Sequence, residues 1–139
     1  MPIARTSISI AAPPAVVWGV LTDTARWPEW NPSQPGFEVP LKAGARGRIA
    51  VASGSRVRWV PIRMVSVVPE RTLSWRGGVR GVFHAVHGFD LMPEGSGTRV
   101  DHVEIFSGVI PHVAWAALQR RLMPRYRAVN AALRDRCLA

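Results

Sequence analysis

Three side chains carry most of the chemistry this sequence could do: His87, His102 and Glu104. Two imidazoles and a carboxylate can pass a proton between them, bind a metal, or simply satisfy one another inside a core. Their setting narrows these choices. In the segment 80–92 side chains alternate, so Phe83, Ala85, His87, Phe89 and Leu91 share one face. That face is the more apolar, and it should turn inward and take His87 with it. His87 is then either a core histidine bonded to a neighbour or a polar anchor inside a pocket. In the segment 98–107, Val100, His102, Glu104 and Phe106 share one face, and Asp101, Val103, Ile105 and Ser107 the other. Alternation alone slightly favours burying Val103 and Ile105. If Glu104 is inside, desolvation raises its pKa and a cationic histidine beside it lowers it. Glu104 and His102 together are a candidate general acid/base pair for aldol-type or dehydration chemistry, and equally a way of satisfying one buried carboxylate. Two histidines and a carboxylate also suit zinc or iron, but their spacing matches no ligand motif, so neither metal nor cofactor is expected.

Composition removes whole classes of function. The chain has 139 residues, enough for a single domain over 1–139, with 47% hydrophobic and 19% charged residues. Its one cysteine, Cys137, cannot close an internal disulfide, and no cysteine–histidine zinc pattern is present. The net charge of +9 is almost entirely arginine, with Lys42 the sole lysine. These arginines are scattered singly except near the end, at Arg120, Arg121, Arg125, Arg127, Arg134 and Arg136. Without a basic run or a DNA- or RNA-binding motif, the pattern reads as a solvated surface and no nucleic-acid partner is expected. The terminal arginines remain a candidate face for an acidic partner. No leader pattern and no membrane-spanning run is visible, so a cytoplasmic protein is expected. There is also no phosphate loop, nucleophile elbow or cysteine–histidine pair.

The elements that must position these groups follow from periodicity. Residues 3–10 alternate and are rich in β-branched types, as in a strand. Pro13-Pro14 opens a helix whose stripe is Val17, Trp18, Val20 and Leu21, and a second helical turn covers 23–28. Prolines then interrupt the chain up to a short extended piece at 37–39. From 46 to 108 strands are separated by turn signals at 53–55, 69–71, 77–78 and 93–97, which is an antiparallel meander. Pro61, inside the strand 56–68, implies an edge or a bulge. Over 112–137, Trp115, Leu118, Leu122, Tyr126, Val129, Leu133 and Cys137 line one helical face, and Pro124 should bend that helix. A meander must bury one face, and only the final helix is long enough to cover it. The expected class is α+β: a curved antiparallel sheet wrapped around a long C-terminal helix, with two short helices after the first strand.

Several segments match a known family: Ala12-Pro13 through Val17-Trp18, Leu21-Thr22-Asp23, Trp27-Pro28-Glu29-Trp30-Asn31-Pro32, and Val67 through Trp75. To these are added His87-Gly88-Phe89-Asp90-Leu91, Gly97-Thr98-Arg99-Val100, His102, Glu104, Phe106 and Gly108. In these the chain resembles the START-like (SRPBCC) superfamily, with its polyketide cyclase/dehydrase and birch-pollen-allergen branches. The resemblance implies a helix-grip fold with an apolar pocket between sheet and helix, and it turns His102, Glu104 and Phe106 towards that pocket. On this basis His87, Phe89, Phe106, Trp30, Trp59, Leu118 and Leu122 are expected ligand-binding residues, with Trp30 and Trp27 near the mouth and Trp18, Trp75 and Trp115 in the core. The expected function is binding of a hydrophobic or amphipathic lipid-, polyketide- or aromatic-type molecule. The alternatives are a cyclase/dehydratase using Glu104 and His102, and an interaction module using the arginine-rich helix face. A monomer or a homodimer fits equally.

Overall fold

A computed structural model describes residues 2–139. In chain order it contains β1 (Ile3–Ile10), α1 (Pro14–Thr22), a 3₁₀ turn (Thr24–Glu29), β2 (Gly36–Glu38), β3 (Arg46–Ser53), β4 (Arg56–Val68), β5 (Thr72–Val79), β6 (Phe83–Glu94), β7 (Gly97–Ser107), α2 (Val109–Val113) and α3 (Trp115–Leu138). The strands form one seven-stranded antiparallel sheet in the order β1-β7-β6-β5-β4-β3-β2. Successive hairpins account for β2 to β7. β1 pairs with the last strand, so α1 and the 3₁₀ turn carry the chain from one edge of the sheet to the other and close that end. Among the described residues no helix is long and apolar enough to cross a membrane.

The local signals act mostly where expected. Pro14 takes the first position of α1, where its missing N–H costs nothing, and Val17 and Leu21 are fully buried. Pro61 lies one residue beyond the last β4–β5 pair, Ile62↔Gly77, so it is bonded across to β3 alone; the bulge of β4 falls at Val65 instead. Three boundaries differ from expectation. Gly77-Gly78 continues β5, and the turn comes at 80–82, where Gly81 adopts φ +83°. β6 runs through Pro93 to Glu94, shortening the expected 93–97 loop to a tight hairpin. The final helical region breaks at Ala114 into α2 and α3, and Pro124 lies inside α3 on its exposed side.

The concave face of the sheet and α3 enclose the core. Tyr126, Val129, Asn130 and Leu133 are the buried positions of α3. On β7 Thr98, Val100, His102 and Phe106 are buried, while Ile105 is 36% exposed, so alternation alone pointed to the wrong face. Val103 and Ile105 instead lie on the outer side of the strand, half-buried and exposed respectively. The core divides in two. A larger cluster joins α1, Trp27, Phe37, Trp75, Phe89 and Leu133; a smaller one joins Ala4, Ala85, Phe106 and Tyr126. Between them the core is hollow.

Candidate functional site

A cavity of about 730 Å³ lies between the concave sheet and α3. That is within the roughly 300–1,000 Å³ usual for small-molecule sites. Its walls are largely apolar, formed by Ile49, Val60 and Ile62 of the sheet, Phe106 of β7, and Leu122 and Val129 of α3. The sheet frays there: beyond Ile62 and Gly77, β4 and β5 no longer pair, and their ends flank the opening.

The polar floor is an ordered relay. His87 and His102 lie on adjacent strands and bond Nε2 to Nε2 at 2.5 Å. On the far side, His102 Nδ1 is 3.0 Å from Asn130 Oδ1, and Asn130 Nδ2 donates to Thr6 Oγ1 at 2.8 Å. An amide oxygen only accepts, so Nδ1 of His102 carries the proton and its Nε2 is the acceptor. His87 must therefore donate from Nε2, leaving its Nδ1 to accept from Gln34 Nε2 at 3.3 Å. Every step runs one way, from Gln34 through both neutral imidazoles to Asn130 and Thr6. Burial favours this neutrality: desolvation pushes His87 down to about 3, and desolvation together with the neighbouring His87 pushes His102 well below its usual value against the opposing hydrogen bonds. Phe89 packs against both rings, with His102 at 4.4 Å between ring centroids.

Glu104 stands beside this relay. Tyr126 donates its hydroxyl to Glu104 Oε1, and Oε2 lies 3.8 Å from His87 Nδ1. Burial raises the carboxyl to about 7, although the Tyr126 hydrogen bond and the Arg125 charge oppose the shift. Burial also holds His87 in its neutral form, so no cationic imidazole offsets the rise. A carboxyl that is half protonated near neutrality can give or take a proton. The two histidines spend their facing nitrogens on each other, and among the described residues no cluster of three or more His, Cys, Asp or Glu is arranged to hold a metal ion.

The expected site residues do not all converge. His87, His102, Glu104, Phe106 and Leu122 line the cavity. Phe89 lies beneath the histidines, fully buried, and braces them rather than facing the hollow. Leu118 packs on the Phe106 cluster at one end of α3. Trp30 packs edge-on against Trp27, which is itself fully buried and donates to Leu21 O. Trp59 is on the outer face of β4, because the strand's alternation gives Arg58 and Val60 to the cavity; its ring covers Gly36 and carries the Arg48 guanidinium at 4.1 Å. Sequence reasoning missed Gln34 and Asn130. Asn130 follows Tyr126 by one helical turn on the inward stripe, a polar residue among apolar ones, and that was a usable signal. Gln34 gave none: it sits in the proline-rich connection, held by its backbone N–H donating to Asn31 Oδ1 at 2.8 Å. Nor is the terminal arginine set one face, since Arg121 and Arg125 border the cavity while Arg136 pairs with Glu29 at 2.7 Å.

A curved seven-stranded antiparallel sheet gripping a long C-terminal helix around such a hollow defines a helix-grip protein. The chain belongs to the polyketide cyclase/dehydrase and lipid transport family, whose pattern it matches over residues 1–137, within the START-like superfamily. No curated protein matches it in sequence. Among solved structures it is similar to TTHA0849 from Thermus thermophilus, at 17% identity over 99% of this chain and 97% of that one, with a TM-score of 0.77. It is similar to the ZhuI aromatase/cyclase from Streptomyces sp. R1128, at 16% identity over 97% and 92%, with a TM-score of 0.73. It also resembles the di-domain aromatase/cyclase BexL of the BE-7585A biosynthetic pathway, at 19% identity, 97% of this chain against 46% of that one, and a TM-score of 0.79. At these identities the likeness is one of fold. Family and fold together place the function in the ligand-binding or cyclase-type class.

Proposed function

We infer that this chain, as a single domain over 1–139, binds a mainly hydrophobic small molecule in the cavity between sheet and α3. The observation that carries this reading is the hollow itself. The interior is otherwise closely packed, with Val17, Leu21, Trp27, Leu73 and Phe89 fully buried, yet about 730 Å³ beside them is unfilled by side chains. Leaving such a space lined by apolar groups forfeits dispersion contacts, a cost that a ligand offsets. Burial of apolar surface supplies the affinity. Glu104, His87 and the cavity-lining Gln34, whose buried Oε1 has no partner within the protein, supply orientation.

A second reading is favoured by Glu104 specifically. A carboxyl near pKa 7, held by Tyr126 and facing an apolar hollow, suits a cyclase/dehydratase step. There the ionised Glu104 takes a proton from carbon, a double bond forms as the C–O bond breaks, and Glu104 hands that proton to the departing hydroxyl, which leaves as water.

Native mass spectrometry of freshly purified protein, before and after exposure to lipid and aromatic mixtures, tests the binding reading. It predicts a retained small molecule released by denaturation, and comparable retention in Glu104→Gln. Conversion of a bound compound by the wild type but not by Glu104→Gln gives precedence to the enzyme. An empty protein under all conditions contradicts both.

A further inference from the structure

The mouth of the cavity carries four arginines. Arg56 and Arg58 are two apart on β4, a spacing that puts both on one face of a strand. Arg121 and Arg125 are four apart on α3, a spacing that puts both on one face of a helix. The two like-charged pairs look into the same opening from facing elements. Five arginines elsewhere pair with carboxylates, Arg26 with Asp23, Arg48 with Glu38, Arg99 with Asp101, Arg134 with Asp135 and Arg136 with Glu29, and the other arginines stand unpaired among the described residues; what sets the mouth apart is that four unpaired arginines gather around one opening. Among the described residues, none of the four at the mouth has a carboxylate partner within 4.0 Å. The one carboxyl lining the cavity, Glu104, is bonded to Tyr126. Arg125 is held in place by donating to Ala52 O across the opening, so part of the charge is fixed before anything binds. Gathering like charges at one rim works against folding and is offset when an anion sits among them. Deeper in, Gln34 is 8% exposed and presents an unpartnered Oε1 in the cavity wall, a second sign that the space is shaped for a ligand.

We propose that the mouth is an oxyanion clamp: the ligand is an amphiphile whose apolar body fills the cavity while a carboxylate or phosphate head rests among Arg56, Arg58, Arg121 and Arg125. This rests on the reading of the cavity as a ligand site and specifies the class of ligand. Guanidinium forks match both oxyanions, in two-point contacts that an alcohol cannot make.

Isothermal titration calorimetry with decanol, decanoate and decyl phosphate, each below its micelle concentration, tests it, with 2-naphthol and 2-naphthoate as an aromatic pair. The clamp predicts that at least one anion binds about tenfold more tightly than its neutral counterpart. Preference for decanoate marks a carboxylate head, and preference for decyl phosphate marks a phosphate head. In Arg58→Gln/Arg121→Gln that preference falls to about twofold or less while decanol binds as before, which also shows that the variant is folded. Arg46→Gln/Arg127→Gln removes the same charge from exposed positions away from the mouth and keeps the preference. Equal binding of alcohol and anion overturns the clamp and leaves the cavity reading intact. Equal loss of preference in both double variants overturns it too, because net charge rather than the mouth is then responsible. Binding of none of the five compounds overturns the clamp and the cavity reading together.

Discussion

His87 and His102 meet edge to edge, their Nε2 atoms 2.5 Å apart and their ring planes within 9° of parallel. One proton occupies that gap, and Asn130 on α3 decides which ring owns it. Nitrogen-detected NMR should find His87 protonated at Nε2 and His102 at Nδ1, with neither ring titrating between about pH 5 and 8. Titration of either ring in that window contradicts the neutral relay.

Glu104 and the two histidines act on stability in opposite senses. The folded carboxyl is raised from 4.5 to about 7, so its contribution is complete below pH 4.5 and is lost as pH rises through about 7. The histidines are depressed below 6.5, so their contribution is present above pH 6.5 and is lost as pH falls towards about 3. Comparing wild type with Glu104→Gln isolates the carboxyl. Urea denaturation should show wild type losing stability relative to the variant between pH 4.5 and 7, by up to about 1.4 kcal/mol per pH unit. The reverse slope would mean that Glu104 is ionised in the folded protein.

Asn130 joins the relay on β6 and β7 to Thr6 on β1. Asn130→Leu keeps the branched outline of the side chain and strands the His102 Nδ1 proton in the core. A loss of about 1–3 kcal/mol in urea denaturation is expected, the cost of one unsatisfied buried donor. A loss under about 0.5 kcal/mol would place Asn130 outside the relay.

Sheet and helix were legible because the strands of the meander alternate and are separated by glycine and proline signals. What failed did so for local reasons. Gly77-Gly78 reads as a turn, yet β5 passes straight through it and Gly81 makes the turn beyond the pair. Alternation on β7 slightly favours Val103 and Ile105 as core, but the strand lays them on its outer side and buries His102, the face the family resemblance selects. Trp59, beside Arg58 on a strand, was expected to bind ligand. Alternation along β4 puts it outside and gives its arginine neighbour to the cavity. His87 could be found from its face, and Glu104 only from the family resemblance that turns its face inward. Gln34 could not, because it reaches His87 from an irregular loop fixed by Asn31, and no periodicity marks such a contact.

Ala85 lines the cavity and pairs across the sheet with Phe106. Ala85→Phe sends a ring into space that is already open, so the melting temperature should not fall, while affinity for an apolar probe such as 1-anilinonaphthalene-8-sulfonate should drop about tenfold or more. Unchanged affinity would locate the probe elsewhere.

The central claim is that ligand enters between the sheet and α3. Methyl-resolved NMR of the wild type titrated with decanol measures this most directly. The account predicts shifts at Ile49, Ile62, Leu122 and Val129, with Val65 and Ile105 on the outer face unmoved. Shifts confined to the outer face, with the cavity methyls silent at saturation, would contradict it.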